Sequence, residues 1–217
     1  MALKLVKQTT KARVDYGRVD DGAYPARIVQ IIDFGEQIET DWKTGEPMHY
    51  EDSGAEIIKH KVWINFEFPD ELIEVNGEQK PRWYGKEYTV SAHEKSALFG
   101  LVKALDPKGV ATNGGRDVKG LLGLPAMVTI GSTSSGKPKV SSVSGVPKGM
   151  QVGPLVNQEV FFDLDEPNPE VFETIPKWMK ERITNGIDFA YTGLGKLLAG
   201  YGDTPRSASS KVSVDSY

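Results

Sequence analysis

The 217-residue sequence contains no cysteine. That absence excludes a disulfide scaffold, a thiol nucleophile and every zinc or iron–sulfur site built on thiolates, and it leaves only His49, His60 and His93 as nitrogen ligands. No run approaches the roughly 18 consecutive apolar residues that a membrane span requires, although 39% hydrophobic residues suffice for a core. A global excess of positive charge is also missing, since 26 Lys and Arg face 30 Asp and Glu. The amino terminus, Met1-Ala-Leu-Lys-Leu-Val-Lys-Gln-Thr-Thr-Lys11, has neither the long apolar region nor the small-residue cleavage site of a secretory signal. A soluble, cytoplasmic protein is the expectation, of a length that fits one domain with tails.

The charges that are present segregate along the chain. Between residues 103 and 148 Lys103, Lys108, Arg116, Lys119, Lys137, Lys139 and Lys148 are opposed only by Asp106 and Asp117. Between residues 159 and 173 Glu159, Asp163, Asp165, Glu166, Glu170 and Glu173 stand without one basic residue. A near-neutral average therefore conceals a positive and a negative segment, which is compatible with an anionic partner at the first or with two solvated faces.

Residues 1–21 lack periodicity and read as a flexible arm. Tyr24-Pro-Ala-Arg-Ile-Val-Gln-Ile-Ile-Asp-Phe34 is rich in β-branched residues and predicts a first strand, with proline at its start where a missing donor is tolerated. Turn formers and acids over 35–54 predict a long exposed loop. From Ile57 to Phe68 the chain alternates strictly: Ile58, His60, Val62, Ile64, Phe66 and Phe68 on one face, Ile57, Lys59, Lys61, Trp63, Asn65 and Glu67 on the other. That is the pattern of a half-buried strand showing two ammoniums and an indole to solvent. The run breaks at Pro69-Asp70, after which Leu72–Val75 and Glu78–Lys80 flank Asn76-Gly77, the signature of a hairpin with a type I′ turn. Residues 81–90 give a further strand. Ser91-Ala-His-Glu94 reads as a capping box for a helix whose stripe is Ala97, Leu98, Leu101, Val102 and Leu105. A second hairpin pairs Ala126–Ile130 with Lys139–Val143, a short edge strand is expected near Gln158–Leu164, and a helix over Pro169–Arg182 is kinked or split by Pro176. The Ser-rich stretch 203–217 reads as a disordered tail.

Catalytic motifs are sparse. Gly131-Ser-Thr-Ser-Ser-Gly136-Lys137-Pro138 imitates the phosphate loop GxxxxGK, but Pro138 offers no hydroxyl for magnesium and the next residues read as a strand instead of a helix. The histidines are too far apart in sequence to suggest a metal trio, and His60 falls on the core face as a buried, hydrogen-bonded ring. The sequence pairs no two carboxylates for acid and base work, so the expectation is a non-enzyme without metal or cofactor. What stands out is the interleaving of basic residues with aromatics on adjacent strands: Lys59, Lys61 and Trp63 on one, Lys80, Arg82, Trp83, Tyr84, Lys86 and Tyr88 on the next. Single-stranded nucleic acid calls for this combination, because unpaired bases stack on indole and phenol rings while Lys and Arg meet phosphates. Lys137 and Lys139 would make the second hairpin a finger over the strand. Core packing is the competing role for each aromatic.

Two long strands, a third strand, a capped helix and a hairpin follow the order of a mainly β protein with accessory helices. Its expected fold is a five-stranded Greek-key OB-fold barrel with a helix between strands 3 and 4 and a C-terminal helical extension. The expected division is a barrel over 22–165 and an extension over 166–202. In the stretches Gly22-Ala-Tyr-Pro-Ala-Arg-Ile-Val-Gln-Ile-Ile-Asp-Phe-Gly35, His60-Lys-Val-Trp-Ile-Asn-Phe-Glu-Phe68, Arg82-Trp-Tyr-Gly-Lys-Glu-Tyr-Thr-Val-Ser-Ala-His-Glu-Lys-Ser96, Gly123-Leu-Pro-Ala-Met-Val-Thr-Ile130 and Ile175-Pro-Lys-Trp-Met-Lys-Glu-Arg-Ile183, the sequence resembles the single-stranded DNA-binding proteins of tailed bacteriophages. The resemblance implies coating of single-stranded DNA in phage replication, repair or recombination within the host cytoplasm, with replication or recombination proteins as partners. One departure is the ending Lys211-Val-Ser-Val-Asp-Ser-Tyr217, where such proteins usually carry an acidic, aromatic-tipped tail. A virion or assembly protein that binds protein is the alternative.

Overall fold

The computed structural model describes residues 19–202. The expected arm over 1–21, apart from 19–21, and the expected tail over 203–217 lie outside the described residues. The chain is mainly β, with strands β1 (Gly22–Ile38), β2 (Ile58–Val75), β3 (Glu78–Thr89), β4 (Pro125–Ser132), β5 (Pro138–Ser144) and β6 (Val160–Phe162). Helices are α1 (Ala97–Leu105), α2 (Pro169–Thr174), α3 (Lys177–Thr184) and α4 (Gly193–Gly202). The sheet order is β3-β2-β1-β4-β5, with β6 added to β1.

The length of β1 organises the sheet. Its first residues, Gly22–Arg27, pair antiparallel with β4; Gln30–Ile32 then take β6 in parallel, and Arg27–Ile38 pair antiparallel with β2 along the other edge. Two register shifts, at Ile28/Gln30 and Asp33/Gly35, bend the strand. At the second, Gly35 has φ +69°, and a Cβ there would sit 2.8 Å from the Leu164 side chain and from Asp188 Oδ1. The position therefore needs glycine for both its conformation and its contact.

The two faces of the sheet bury two separate cores. Ala26, Ile28 and Ile31 join Val62, Ile64, Phe66, Phe68, Tyr88, Val128, Ile130 and the α1 residues Leu98, Leu101 and Val102. Ile32 and Phe34 instead meet Phe162, Leu164, Phe172, Ile175, Met179, Ile183 and Leu194. The face of β2 expected to meet solvent is thus largely interior: Lys61, Asn65 and Glu67 are buried, and Trp63 packs against the second core. The alternation is real, but α3 meets its polar side through Trp178 and Arg182, and Val156 and Asn157 cover Glu67.

Other local expectations hold in altered form. Asn76 and Gly77 have φ +54° and +84°, the two positive values a type I′ turn demands, yet β2 runs on through Pro69-Asp70 by an irregularity between Phe68 and Leu72. Helix α1 lies between β3 and β4 but is capped by Ser96, whose Oγ accepts the Phe99 amide at 3.1 Å. Ser91 instead closes a preceding turn, its Oγ accepting the His93 amide and its carbonyl accepting the Ser96 hydroxyl. Pro176 splits the expected long helix into α2 and α3, and Asn168 caps α2 at the amides of Glu170 and Val171. The edge strand near 158–164 is β6, parallel and placed on the central strand. No ladder joins β3 to β5 among the described residues, so the sheet does not close by pairing.

Candidate nucleic-acid interface

The outer face of β1, β2 and β3 carries a cross-strand row, Arg27, Glu67 and Trp83, paired through both ladders. Glu67 is fully buried and accepts four donors: the amides of Val156 (2.6 Å) and Asn157 (3.2 Å), Asn157 Nδ2 (2.6 Å) and Trp83 Nε1 (3.1 Å). Beside it, Arg27 donates to the carbonyls of Gly153 (2.7 Å), Val152 (3.1 Å) and Gly123 (2.7 Å). Two charged side chains therefore strap residues 152–157 across the sheet. A buried carboxylate is tolerated only with such a donor set. Trp83 stays 38% exposed at the margin of the strap.

Further along this face Trp63 lies over Gly85, where any Cβ would collide with the indole and with Asn65 Oδ1. Its Nε1 donates to Asn65 Oδ1 at 2.8 Å, and Asn65 Nδ2 donates to Gln30 Oε1 at 2.6 Å. The ring stacks on Phe34 at 6.3 Å and meets Trp178 edge-on at 5.1 Å. Lys61 bonds Glu39 and Thr89 and lies 3.8 Å from Glu87, which also pairs with Arg182. Lys59 stands 3.7 Å from the same Glu39 and is about half exposed. Burial works against ionisation of Glu39, but the Lys61 hydrogen bond and the nearby ammoniums hold its carboxyl below the usual range. Of the residues on this strand face, Lys61 and Trp63 are thus engaged internally, while Lys59 and Trp83 reach solvent.

The remaining candidates gather where β3 meets β5. Tyr84 and Tyr88 point into the first core; Tyr84 meets Phe68 edge-on at 5.5 Å, and burial pushes the Tyr88 hydroxyl far above its ordinary pKa. Lys86 crosses the seam, its Nζ 3.4 Å from the Ser141 carbonyl of β5 and 5.5 Å from the Tyr88 ring centroid. Arg82 is half-buried on β3 opposite Phe68. Lys137 and Lys139 are exposed, the first in the tight turn between β4 and β5, the second on β5 itself. That turn is closed by Thr133, which receives the Gly136 amide on its carbonyl and the Lys137 amide on its hydroxyl, so the phosphate-loop imitation is a hairpin.

Two features escaped the pattern reading. The long exposed loop expected over 35–54 starts only after Ile38, since 35–38 belong to β1, and the 39–57 connection carries isolated bridges at Thr40/Pro47 and His49/Glu56. Asp41 closes its first turn, and the Thr44 and Lys43 amides hold that carboxyl below its usual range. Every residue from 42 to 56 is exposed. The second feature is His60, half exposed and not buried, with Nε2 2.6 Å from Asp33 Oδ1. This hydrogen bond raises the His60 pKa against the opposing effect of burial, aided by the charges of Asp33, Asp188 and Glu36. The pair borders a cavity of about 120 Å³ with Ile31, Val62, Val118 and Asp163. No cluster of three or more metal-ligating side chains occurs among the described residues, and no helix there is long and apolar enough to cross a membrane. Comparison with family models, curated proteins and solved structures finds no match.

Proposed function

We propose that the protein binds single-stranded DNA with little sequence preference, through the seam between β3 and β5. The observation that carries this reading is the approach of those two strands at Lys86 and Ser141, which brings the strand that holds Arg82, Trp83 and Lys86 against the strand that holds the exposed Lys139 and follows the Lys137 turn. In support, the order β3-β2-β1-β4-β5, with α1 between β3 and β4, is compatible with an OB-type barrel open at this seam, and such barrels are partly open. The seam offers a nucleic acid both things it needs, an accessible indole for base stacking and cations for phosphate. Lys59 extends the cationic side. The proposed function calls for no catalytic residue, metal or cofactor, and the resemblance supports a role in phage replication, repair or recombination in the host cytoplasm.

The test is a tryptophan-fluorescence titration with oligo-dT at low and moderate salt. Quenching that weakens steeply with salt is expected. Trp83→Ala should weaken binding about tenfold, near the lower end of the roughly 1–3 kcal/mol per stacked base. The double variant Lys137→Ala/Lys139→Ala should flatten the slope of log K against log salt by about 1.4, from about 0.7 per phosphate contact on a single strand. A flat titration of the parent at low salt overturns the reading in favour of an assembly protein that binds protein, and an unchanged slope removes the hairpin from the phosphate track.

A further inference from the structure

The arm over residues 39–57 combines order with a lack of burial. Its backbone is closed by hydrogen bonds from Asp41 to Glu46, Met48 to Glu39, Ile57 to Met48, Tyr50 to Ala55 and Gly54 to Tyr50, all of 2.8–2.9 Å. Its large apolar side chains nevertheless face solvent: Trp42 is 86% exposed, Tyr50 50% and Met48 44%. Single exposed apolar residues need no explanation, but an ordered arm that presents three together is an interaction surface. Its charge defines the partner. Asp41, Glu46, Glu51, Asp52 and Glu56 oppose only Lys43, so the arm repels a phosphate backbone and attracts a basic surface.

This chain carries such a surface itself. A groove of about 270 Å³ runs between the end of β3, helix α1 and the loop before Val118, floored by Val90, Leu98, Phe99 and Val102 and flanked by Arg116. Lys103 lies 5.5 Å from the Phe99 ring at the rim, and Lys108 and Arg116 are exposed. Of the carboxylates in this segment, Asp106 is tied into its own loop by the Val110 and Thr112 amides and the Thr112 hydroxyl, while the exposed Asp117 accepts the Lys119 amide and leaves Lys103, Lys108 and Arg116 in excess. The groove is thus apolar within and mainly cationic at its edge, the complement of an arm that is acidic in sum although Lys43 Nζ lies 5.1 Å from the Trp42 ring centroid. Trp42 of the same molecule leaves it empty, being 86% exposed. We propose that Trp42 and its acidic arm dock in this groove on a second copy of the chain, so that the molecule associates with itself.

Sedimentation velocity over a concentration series tests this, with far-UV circular dichroism as the check on folding. The parent should gain mass with concentration at about 50 mM salt and sediment as a monomer at about 0.5 M, where screening shortens the range of the charges severalfold. Trp42→Ala and Arg116→Glu alter exposed side chains, and each alone should stay monomeric at low salt. Mixed in equal amounts they should associate again, since the Arg116→Glu copy keeps a sound arm and the Trp42→Ala copy a sound groove. A parent that remains monomeric at low salt overturns the proposal, as does a Trp42→Ala protein that associates like the parent or a mixture that fails to recover. A monomeric parent that instead binds a basic peptide through Trp42 would assign the arm to a foreign partner and refute self-docking.

Discussion

Replacing Trp63 by alanine separates an interior sheet face from a binding surface. The indole stacks on Phe34 at 6.3 Å, meets Trp178 at 5.1 Å and donates to Asn65 at 2.8 Å. Truncating a fully buried aromatic to alanine costs about 3–5 kcal/mol, and the partial exposure of Trp63 reduces that to roughly half. The lost donor adds about 1 kcal/mol, because Asn65 is buried and its amide nitrogen is already committed to Gln30. A total near 3 kcal/mol, divided by a urea m-value of about 2 kcal/mol per molar, lowers the unfolding midpoint by about 1.5 M. Far-UV circular dichroism is the suitable probe, since the substitution removes one of only four tryptophans. Trp178→Ala and the double variant complete a cycle whose coupling should be about 0.5–1.5 kcal/mol, the worth of one aromatic pair. A midpoint that moves by less than about 0.3 M, with additive single effects, would refute the packing argument. Oligonucleotide affinity lost in a fully stable Trp63→Ala protein would return the face to the binding site.

Glu67→Ala should cost about 2–4 kcal/mol, because it strands the Val156, Asn157 and Trp83 donors around a buried void. The same variant should be cut faster by protease near residues 152–157, and unaltered melting together with unaltered cleavage would show that Glu67 does not hold the strap. His60 gives a pH signature whose sign follows from its raised pKa. The folded state binds that proton more tightly than the unfolded one, so the contribution is complete below the unfolded value of about 6.5 and is lost as pH rises through the higher folded value. The stability advantage of the parent over His60→Gln, followed by urea midpoints from acid to alkaline pH, should therefore shrink as pH rises. An advantage that grows with pH would refute the Asp33 pairing.

Strands, hairpins and helix breaks were legible because each has a local cause. Asn76-Gly77 demands its turn, Pro176 cannot continue a helix, and Ile58 to Phe68 alternates with the period of the pleat. The burial of the second face was not legible from β2, since Lys61, Asn65 and Glu67 look the same in sequence whether solvated or partnered. A signal did exist in β1: Ile28, Val29, Ile31 and Ile32 form an almost unbroken apolar run, which a strand covered on one face does not need. The cap of α1 was misplaced because Ser91 and Ser96 both offer a hydroxyl, and only the path of the chain out of β3 selects the second. Ordering of the arm depends on backbone bonds that polar side chains do not announce. The seam at Lys86 is tertiary, between segments 55 residues apart, and no periodicity reports it.

Under the proposed function, the position of the second core constrains where DNA can bind. Ile32, Phe34, Phe162, Ile183 and Leu194 are at most 1% exposed; β1 supplies two of them, β6 one and the C-terminal extension two. Exposing a fully buried side chain of this kind costs about 1.5–3 kcal/mol, so lifting the extension off the sheet would cost on the order of 10 kcal/mol, as much as a typical domain's whole stability. The extension is therefore part of the fold and does not act as a cover that opens for a ligand. The strap over 152–157 differs, for its Val156 is 66% exposed and its attachment is polar, through Arg27 and Glu67. It can yield locally without opening either core. A strand that reaches Trp83 from the β3–β5 seam meets this margin first, so weakening the strap through Glu67 should change DNA affinity, whereas changes deep in the second core should act on DNA only through unfolding.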